Sequence, residues 1–278
     1  MPRKARTAQA PASAPKPPTA PAPLAAPTAD DIRGVLDASQ DSTATHKQLA
    51  KKLSAICERM GSKNFTAALV TLIQPLLLVS KKHRGVEKVF RFLRVFCLEL
   101  QEEETITDLI NVCLDFCRAR DKTVRYRACE VTSHLMDTLP CEDEDDEEEE
   151  DPHRAALYNK VIETMKRCLM DSAVKVRSMS VNALYRLHEA DDPEDDVLQV
   201  LMLAMAEDAC PEVRRQVLKR VMVSPVTLPH ILRMSRDVCT ENRKLTYTII
   251  KKSIAFTKFT IHQRVLLLRD GLADRDAG

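Results

Sequence analysis

The sequence predicts an all-α protein built from antiparallel helix pairs stacked side by side, and three observations carry that prediction. From Asp30 to Ala277 apolar residues recur at helical spacing, while alternating β-type runs are absent. Aromatic residues make up only 4% of the 278-residue chain. A spacing also repeats: Asp-x-x-x-x-Val-Arg opens at Asp171 (DSAVKVR) and again at Asp208 (DACPEVR), with a weaker DVCTENR at Asp237.

Taken in order, residues 1–29 hold eight of the fifteen prolines, ten alanines, four basic residues and no acid. Such a segment buries too little apolar surface to offset its ordering entropy, so it is read as a disordered tail. A solvated tail, a DNA-contacting or nuclear-targeting arm and a transit peptide all fit its basic character. The remainder, 30–278, is assigned to the stacked helices, expected first over 43–60, 64–80, 85–101, 105–118 and 122–139. The second of these contains FTAALVTLIQPLLLVS, 16 uncharged residues with Gln74 and Pro75 inside them. That is short of the ~20 apolar residues a membrane span needs, so it reads as a buried helix.

After 122–139 comes CEDEDDEEEED, residues 141–151, ten of them acidic. It is too charged to fold and is expected to loop out as a disordered insertion. Helices follow over 153–170, 173–189, 194–207, 211–223, 226–236, 241–256 and 260–272. In 173–189 the buried stripe runs through Val176, Ser180, Ala183, Leu184 and Leu187; in 211–223 it runs through Val213, Val217, Leu218 and Val221. Ser224 precedes Pro225 and is a candidate proline-directed phosphorylation site.

The repeat has a period. Arg125, Arg177, Arg214 and Arg243 are 52, 37 and 29 residues apart. Treating the acidic run as an insertion shortens the first interval to about 41, within the ~40–47 of paired-helix HEAT or armadillo units. Asp171 and Asp208 stand where one helix ends and the next begins, so each is expected to cap the free amides of the following helix. Arg177 and Arg214 leave the buried stripe and are expected to reach an acid at the turn of a neighbouring repeat, fixing the register of the stack. Asn242 in place of Val and Asp121 only three residues before Val124 are local departures. Asp274 begins another such spacing that would run past Gly278, so the chain reads as the opening part of a longer solenoid.

Several function classes find no support. Five scattered glycines supply no phosphate loop or dinucleotide fingerprint. The seven histidines show no HExxH or similar pairing and are expected at surfaces or interfaces, so no enzyme is expected. Cys113 and Cys117 share a helical face at i,i+4, but no pair at zinc-finger spacing completes a set of four. No metal, cofactor, small-molecule substrate or membrane partner is expected, and the nine cysteines read as buried free thiols in a reducing compartment.

Charge is more informative. The net charge of +1 combines ten acids in 142–151 with a remainder of +11. KKHRGVEKVFRFLR, from Lys81, holds six basic residues against one acid; RARDKTVRYR, from Arg118, adds five, and RKLTYTIIKK, from Arg243, adds four. Lys81, Lys82 and Arg84 lie at a turn, and Lys88, Arg91 and Arg94 follow along one helix edge. These runs are either solvated faces or, once the repeats stack, one groove that neutralises phosphates. Tyr126 is the one aromatic placed to stack on a base, so sequence-nonspecific contact with a duplex backbone fits better than base readout. The acidic run is either a solvated insertion or a competitor for that groove.

The motifs VEKVFRFLRVF, RDKTVRYRACEV with LMDTLP, VKVRSMSVNALYRLHEADDPEDD, PEVRRQVLKRVMVSPVTLPHILRMSRDV and IHQRVLLLRDGLADRD occur in an order that resembles the condensin HEAT-repeat subunits of the CAP-G type. The resemblance covers roughly residues 43–276. It implies a HEAT-repeat α-solenoid and a non-enzymatic subunit that binds the kleisin chain bridging the SMC pair. It also implies that subunit and kleisin together hold double-stranded DNA during mitotic chromosome condensation, in the nucleus and on chromosomes, with cytoplasm in interphase. From the family, Lys81, Lys82, Arg84, Arg243 and Lys244 are carried over as groove residues. Charge alone adds Lys88, Arg91, Lys122 and Arg127. The competing reading is a HEAT or armadillo scaffold or transport adaptor that binds an extended peptide and ignores DNA.

Overall fold

A helix that is apolar on one side must bury that side against a neighbour, and here the neighbours come from adjacent repeats. The computed structural model describes residues 26–79, 83–100, 102–139, 152–274 and 276. Among these, thirteen α-helices and no strands are present. They are α1 (Ala29–Ser39), α2 (His46–Met60), α3 (Ser62–Leu77), α4 (Arg84–Glu99), α5 (Glu103–Phe116), α6 (Lys122–Met136) and α7 (Pro152–Leu169). Then come α8 (Val174–Leu184), α9 (Asp196–Glu207), α10 (Pro211–Arg220), α11 (Leu228–Arg233), α12 (Thr240–Ser253) and α13 (Ile261–Leu272).

The odd-numbered helices α1 to α11 pack one on the next as a first layer and the even-numbered ones as a second, the signature of a solenoid, with α13 set against the 3-10 turn Met234–Arg236 that follows α11. One core cluster runs unbroken between the layers from Ile32 to Met234, centred early on the fully buried Phe65, Phe92 and Phe96. The expected stripes lie along it: Val176, Ser180, Ala183 and Leu184 on α8, and Val213, Val217 and Leu218 on α10 with Val221 just past its end, are buried, with Leu187 half-buried.

Several expectations are corrected. The sequence reading had no helix before 43, yet α1 is present. Thr28 and Asp31 close a capping box at its start, and Ile32, Val35, Leu36 and Ser39 bury one stripe. The uncharged run of α3 is one-sided rather than buried all round: Phe65, Thr66, Leu69 and Leu77 face inward, while Ala67, Thr71, Gln74 and Leu78 are exposed or half-exposed. No helix among the described residues is long and apolar enough to cross a membrane. His46 is a core residue, 4% exposed, with Nε2 3.0 Å from the Ser39 carbonyl and its ring edge-on to Phe92. The tail up to position 25 and the acidic run at 141–151 lie outside the described residues.

Ser224 is buried, 8% exposed. Its hydroxyl donates to the Ala190 carbonyl at 2.5 Å and accepts the amides of Val226 and Thr227, both at 3.1 Å. Thr227 Oγ1 in turn accepts the Ser224 amide at 2.8 Å. The Ser-Pro pair is therefore a structural turn that shields its hydroxyl from a kinase. Ser224→Ala is expected to cost roughly 1–2 kcal/mol by leaving these groups unpaired, read as a lower urea midpoint.

The repeated arginines form a ladder. Arg125 grips Asp171 with Nε at 2.6 Å and Nη2 at 3.0 Å; Arg177 grips Asp208 at 2.8 and 2.9 Å. Arg214 holds Asp237 at 2.7 and 2.8 Å, and Arg243 holds Asp274 at the same two distances. Each Nη1 turns back to a carbonyl of its own loop: Ala119 and Arg120, Asp171, Asp208 and Asp237 respectively. One guanidinium thus staples the turn before its own helix to the turn of the next repeat. The aspartates do not cap the following helices as expected. Each accepts the amide two residues on, at Ala173, Cys210, Cys239 and Asp276, in an Asx turn, because its position is set by the arginine fork. Asp121, by contrast, does cap α6, accepting the Thr123 amide at 2.6 Å.

Burial alone would raise the carboxyls of Asp171, Asp208 and Asp237, and the arginine and amide bonds more than reverse it, leaving all three below the ordinary value. For Asp274 the Arg243 bond dominates and brings the carboxyl from 3.8 to about 2. A depressed folded-state pKa stabilises the fold above the unfolded value and ceases to do so as protons are taken up. The Arg243–Asp274 rung's contribution is therefore expected to persist down to about pH 4 and to fade towards about pH 2, and the other three rungs to weaken as pH falls below the ordinary carboxylate range, as followed by helical circular dichroism in an acid titration.

Candidate nucleic-acid interface

The even-numbered layer carries the predicted site residues. Arg84, Lys88 and Arg91 lie on α4 at i, i+4 and i+7, on one face. Arg84 and Arg91 are exposed, as is Lys122 at the start of the neighbouring α6, and none of the three is ion-paired among the described residues. Lys88 is half-buried and spent on structure, its Nζ donating to the carbonyls of Gln40 at 2.9 Å and Asp41 at 2.8 Å. Lys81 and Lys82 lie outside the described residues.

Between α4 and α6 runs a groove of about 590 Å³ lined by Glu87, Arg91, Arg94, Arg127, Glu130 and His134, among others. Arg94 is half-exposed and 3.5 Å from Asp137. Burial depresses the His134 pKa, and Arg94 and Arg91 add to it against the opposing pull of Glu130 and Asp137. Arg127 lies at the floor and is 2% exposed. Its Nη1 bonds Glu130 at 2.5 Å, and its guanidinium sits 5.5 Å from the ring centres of Phe90 and Tyr126. Assigned to the groove on charge alone, it is a core cation already satisfied. Tyr126 does not present a face for a base, being packed beneath Arg127 with its hydroxyl directed to Glu130; burial, then Glu130, raises its pKa to about 12.

Arg243 also changes role. The resemblance placed it in the groove, but the structure places it in the ladder, 13% exposed, gripping both Asp274 and Asp276. Asn242, which stands in place of valine, does not disturb that geometry. It is fully buried and latches α10 to α12 by donating to the Pro211 carbonyl at 3.1 Å and accepting Arg215 Nε at 2.9 Å. Lys244 lies on α12, separated within its layer from α4 and α6 by α8 and α10.

Lys47 and Lys51 on α2 and Lys175 on α8 are also exposed and were not among the predicted residues. The signal was available: Lys47 and Lys51 are i,i+4, and Lys175 is two residues before a ladder arginine. Arg84, Lys122 and Lys175 occupy the first turns of α4, α6 and α8, where the helix dipole disfavours a cation. Positive side chains and positive helix ends therefore reinforce each other along this edge, which suits an anion. The first turn of α4 also holds Glu87, while α10 and α12 carry Glu212 and Glu241 there and their first-turn arginines, Arg214 and Arg243, are spent in the ladder.

Paired helices in two layers, registered by a through-running Asp/Arg ladder, define a HEAT-repeat α-solenoid protein. No protein-family profile matches the chain. It is 34% identical over 248 residues to condensin complex subunit 3 of Schizosaccharomyces pombe, covering 87% of this chain and 27% of that one. The human condensin complex subunit 3 is 28% identical, with 88% and 24% covered. The crystal structure of the S. pombe condensin Cnd3-Cnd2 subcomplex superposes with a TM-score of 0.71 at 33% identity, over 87% of this chain and 30% of that one. In sequence and in fold the chain is a relative of condensin complex subunit 3, and it spans about a quarter of the length of the curated relatives it matches.

Proposed function

We propose that this chain is part of a non-enzymatic HEAT-repeat subunit of a condensin complex, which binds the kleisin subunit and, through it, the SMC pair. In this reading it acts in mitotic chromosome condensation, on chromosomes in the nucleus. The even-layer edge contacts the backbone of double-stranded DNA without reading sequence. Arg84, Arg91 and Lys122 are its centre, Lys175 and Lys244 are peripheral, and Lys81 and Lys82, which precede α4 in the sequence, are included on the sequence reading alone. The observation that carries the DNA assignment is that exposed cations without an ion-pair partner among the described residues recur at the starts of adjacent helices, where their own helices are not stabilised by them. The kleisin assignment rests on the likeness to a protein solved with its Cnd2 partner.

The test is co-purification of the chain with a kleisin segment, followed by duplex DNA titration of the chain with and without it. Stable co-purification together with salt-sensitive DNA binding is the expected result. A chain that takes up extended or acidic peptides and ignores DNA at low salt would instead be a protein-binding scaffold.

A further inference from the structure

Three cysteines from three helices converge on one point. Cys117 ends α5, Cys129 lies within α6 and Cys168 is in the last turn of α7, and all three are buried. Their sulfurs lie within 4.8 Å of one another, with Cys117 Sγ and Cys129 Sγ 3.8 Å apart. Sulfurs bound to one tetrahedral ion at about 2.3 Å stand roughly 3.8 Å apart, so little movement would bring all three onto a metal. The sequence spacing had drawn attention to Cys113 and Cys117. The fold instead turns Cys117 towards residues 12 and 51 positions further on.

Access is present as well. A surface recess of about 550 Å³ is lined by Cys117 and Cys168 together with Arg118, Arg125, Arg167 and Ser172. It offers a route inward and room for a fourth ligand from solvent. Asp171 does not compete for that place, because its carboxylate is held by Arg125 and by the Ala173 amide. Basic side chains around the mouth suit the net anion that three thiolates and a dication would make.

We propose that Cys117, Cys129 and Cys168 form a trithiolate site for a thiophilic divalent d10 ion, Zn²⁺ in the first instance, with a solvent molecule as fourth ligand. Binding replaces three S–H protons by three metal–sulfur bonds: M²⁺ and three thiols give one anionic M(SR)₃ centre and three protons released to buffer. The ion would tie α5 and α6 of one repeat to α7 of the next beside the Arg125–Asp171 rung, adding a second clamp at that joint.

The experiment uses the full chain, purified under reduction, stripped with chelator and titrated with Cd²⁺ as the spectroscopic probe and Zn²⁺ separately. One ion per chain, a cadmium–thiolate ultraviolet band and a raised Tm are expected. Each of Cys117→Ser, Cys129→Ser and Cys168→Ser should abolish the band, while Cys97→Ser, a buried cysteine outside the cluster, should keep it. Protection from alkylation in the unmutated chain, read peptide by peptide, needs no variant to fold: Zn²⁺ should slow labelling of Cys117, Cys129 and Cys168 selectively. Substoichiometric uptake without selective protection would overturn the proposal. So would a Cys117–Cys129 disulfide forming in place of metal uptake, or a band that survives in a folded variant of any of the three.

Discussion

Replacing Arg214 by alanine is expected to lower the stability of the chain by about 3 kcal/mol, because it breaks a buried pair and leaves its partner behind. The Arg214 side chain is 10% exposed and that of Asp237 only 3%. The guanidinium also satisfies the Asp208 carbonyl at 2.7 Å, so its loss leaves the Asp237 carboxylate with the Cys239 amide but no cation, and a loop carbonyl without its donor, at one repeat joint. Urea titration should show a lower midpoint for Arg214→Ala, with part of the loss recovered in the Arg214→Ala/Asp237→Ala double variant, since that removes the stranded charge. Arg33→Ala is the surface control: its partner Asp30 is 82% exposed, and the change should stay within about 0.5 kcal/mol. Equal midpoints for the Arg214 and Arg33 variants would mean that the ladder does not register the stack.

The second large effect concerns DNA. Arg91→Glu combined with Lys122→Glu is expected to weaken duplex binding and to flatten the plot of log affinity against log salt by roughly two, about 0.9 for each phosphate no longer neutralised. Both residues are exposed and have no ion-pair partner among the described residues, so Tm should not fall. Lys81→Glu with Lys82→Glu should behave the same way. Arg243→Ala is the informative contrast: as a ladder residue it should lower stability, with little change in salt slope per folded molecule. Unchanged affinity of the Arg91/Lys122 variant at moderate salt would remove α4 and α6 from the interface.

Charge patterns in the sequence pointed to helices that do carry exposed basic residues, and then overcounted the available cations. Lys88, Arg91 and Arg127 look alike in KKHRGVEKVFRFLRVF and RARDKTVRYR, yet Arg91 is exposed, Lys88 is tied to two carbonyls and Arg127 lies under a glutamate and two rings. Which cation is free depends on loops and side chains 40 or more positions away, such as Gln40 and Asp41 for Lys88. Local spacing carries no record of the Lys88 partners, whereas the i,i+3 spacing of Arg127 and Glu130 was there to be read. The α1 helix was legible in principle, since Thr28 and Asp31 mark its start and Ile32, Val35 and Leu36 its stripe.

What the sequence determined by itself is the stack: helical periodicity, the apolar stripes and the recurring Asp and Arg offsets each encode a short-range geometry that every repeat satisfies alike. The tertiary structure alone decided that Lys88 is tied up and Arg127 buried, that Ser224 faces inward and that Cys117 meets Cys129 and Cys168. Those outcomes follow from how neighbouring repeats settle against each other, and a contact between layers leaves no period in the chain that makes it.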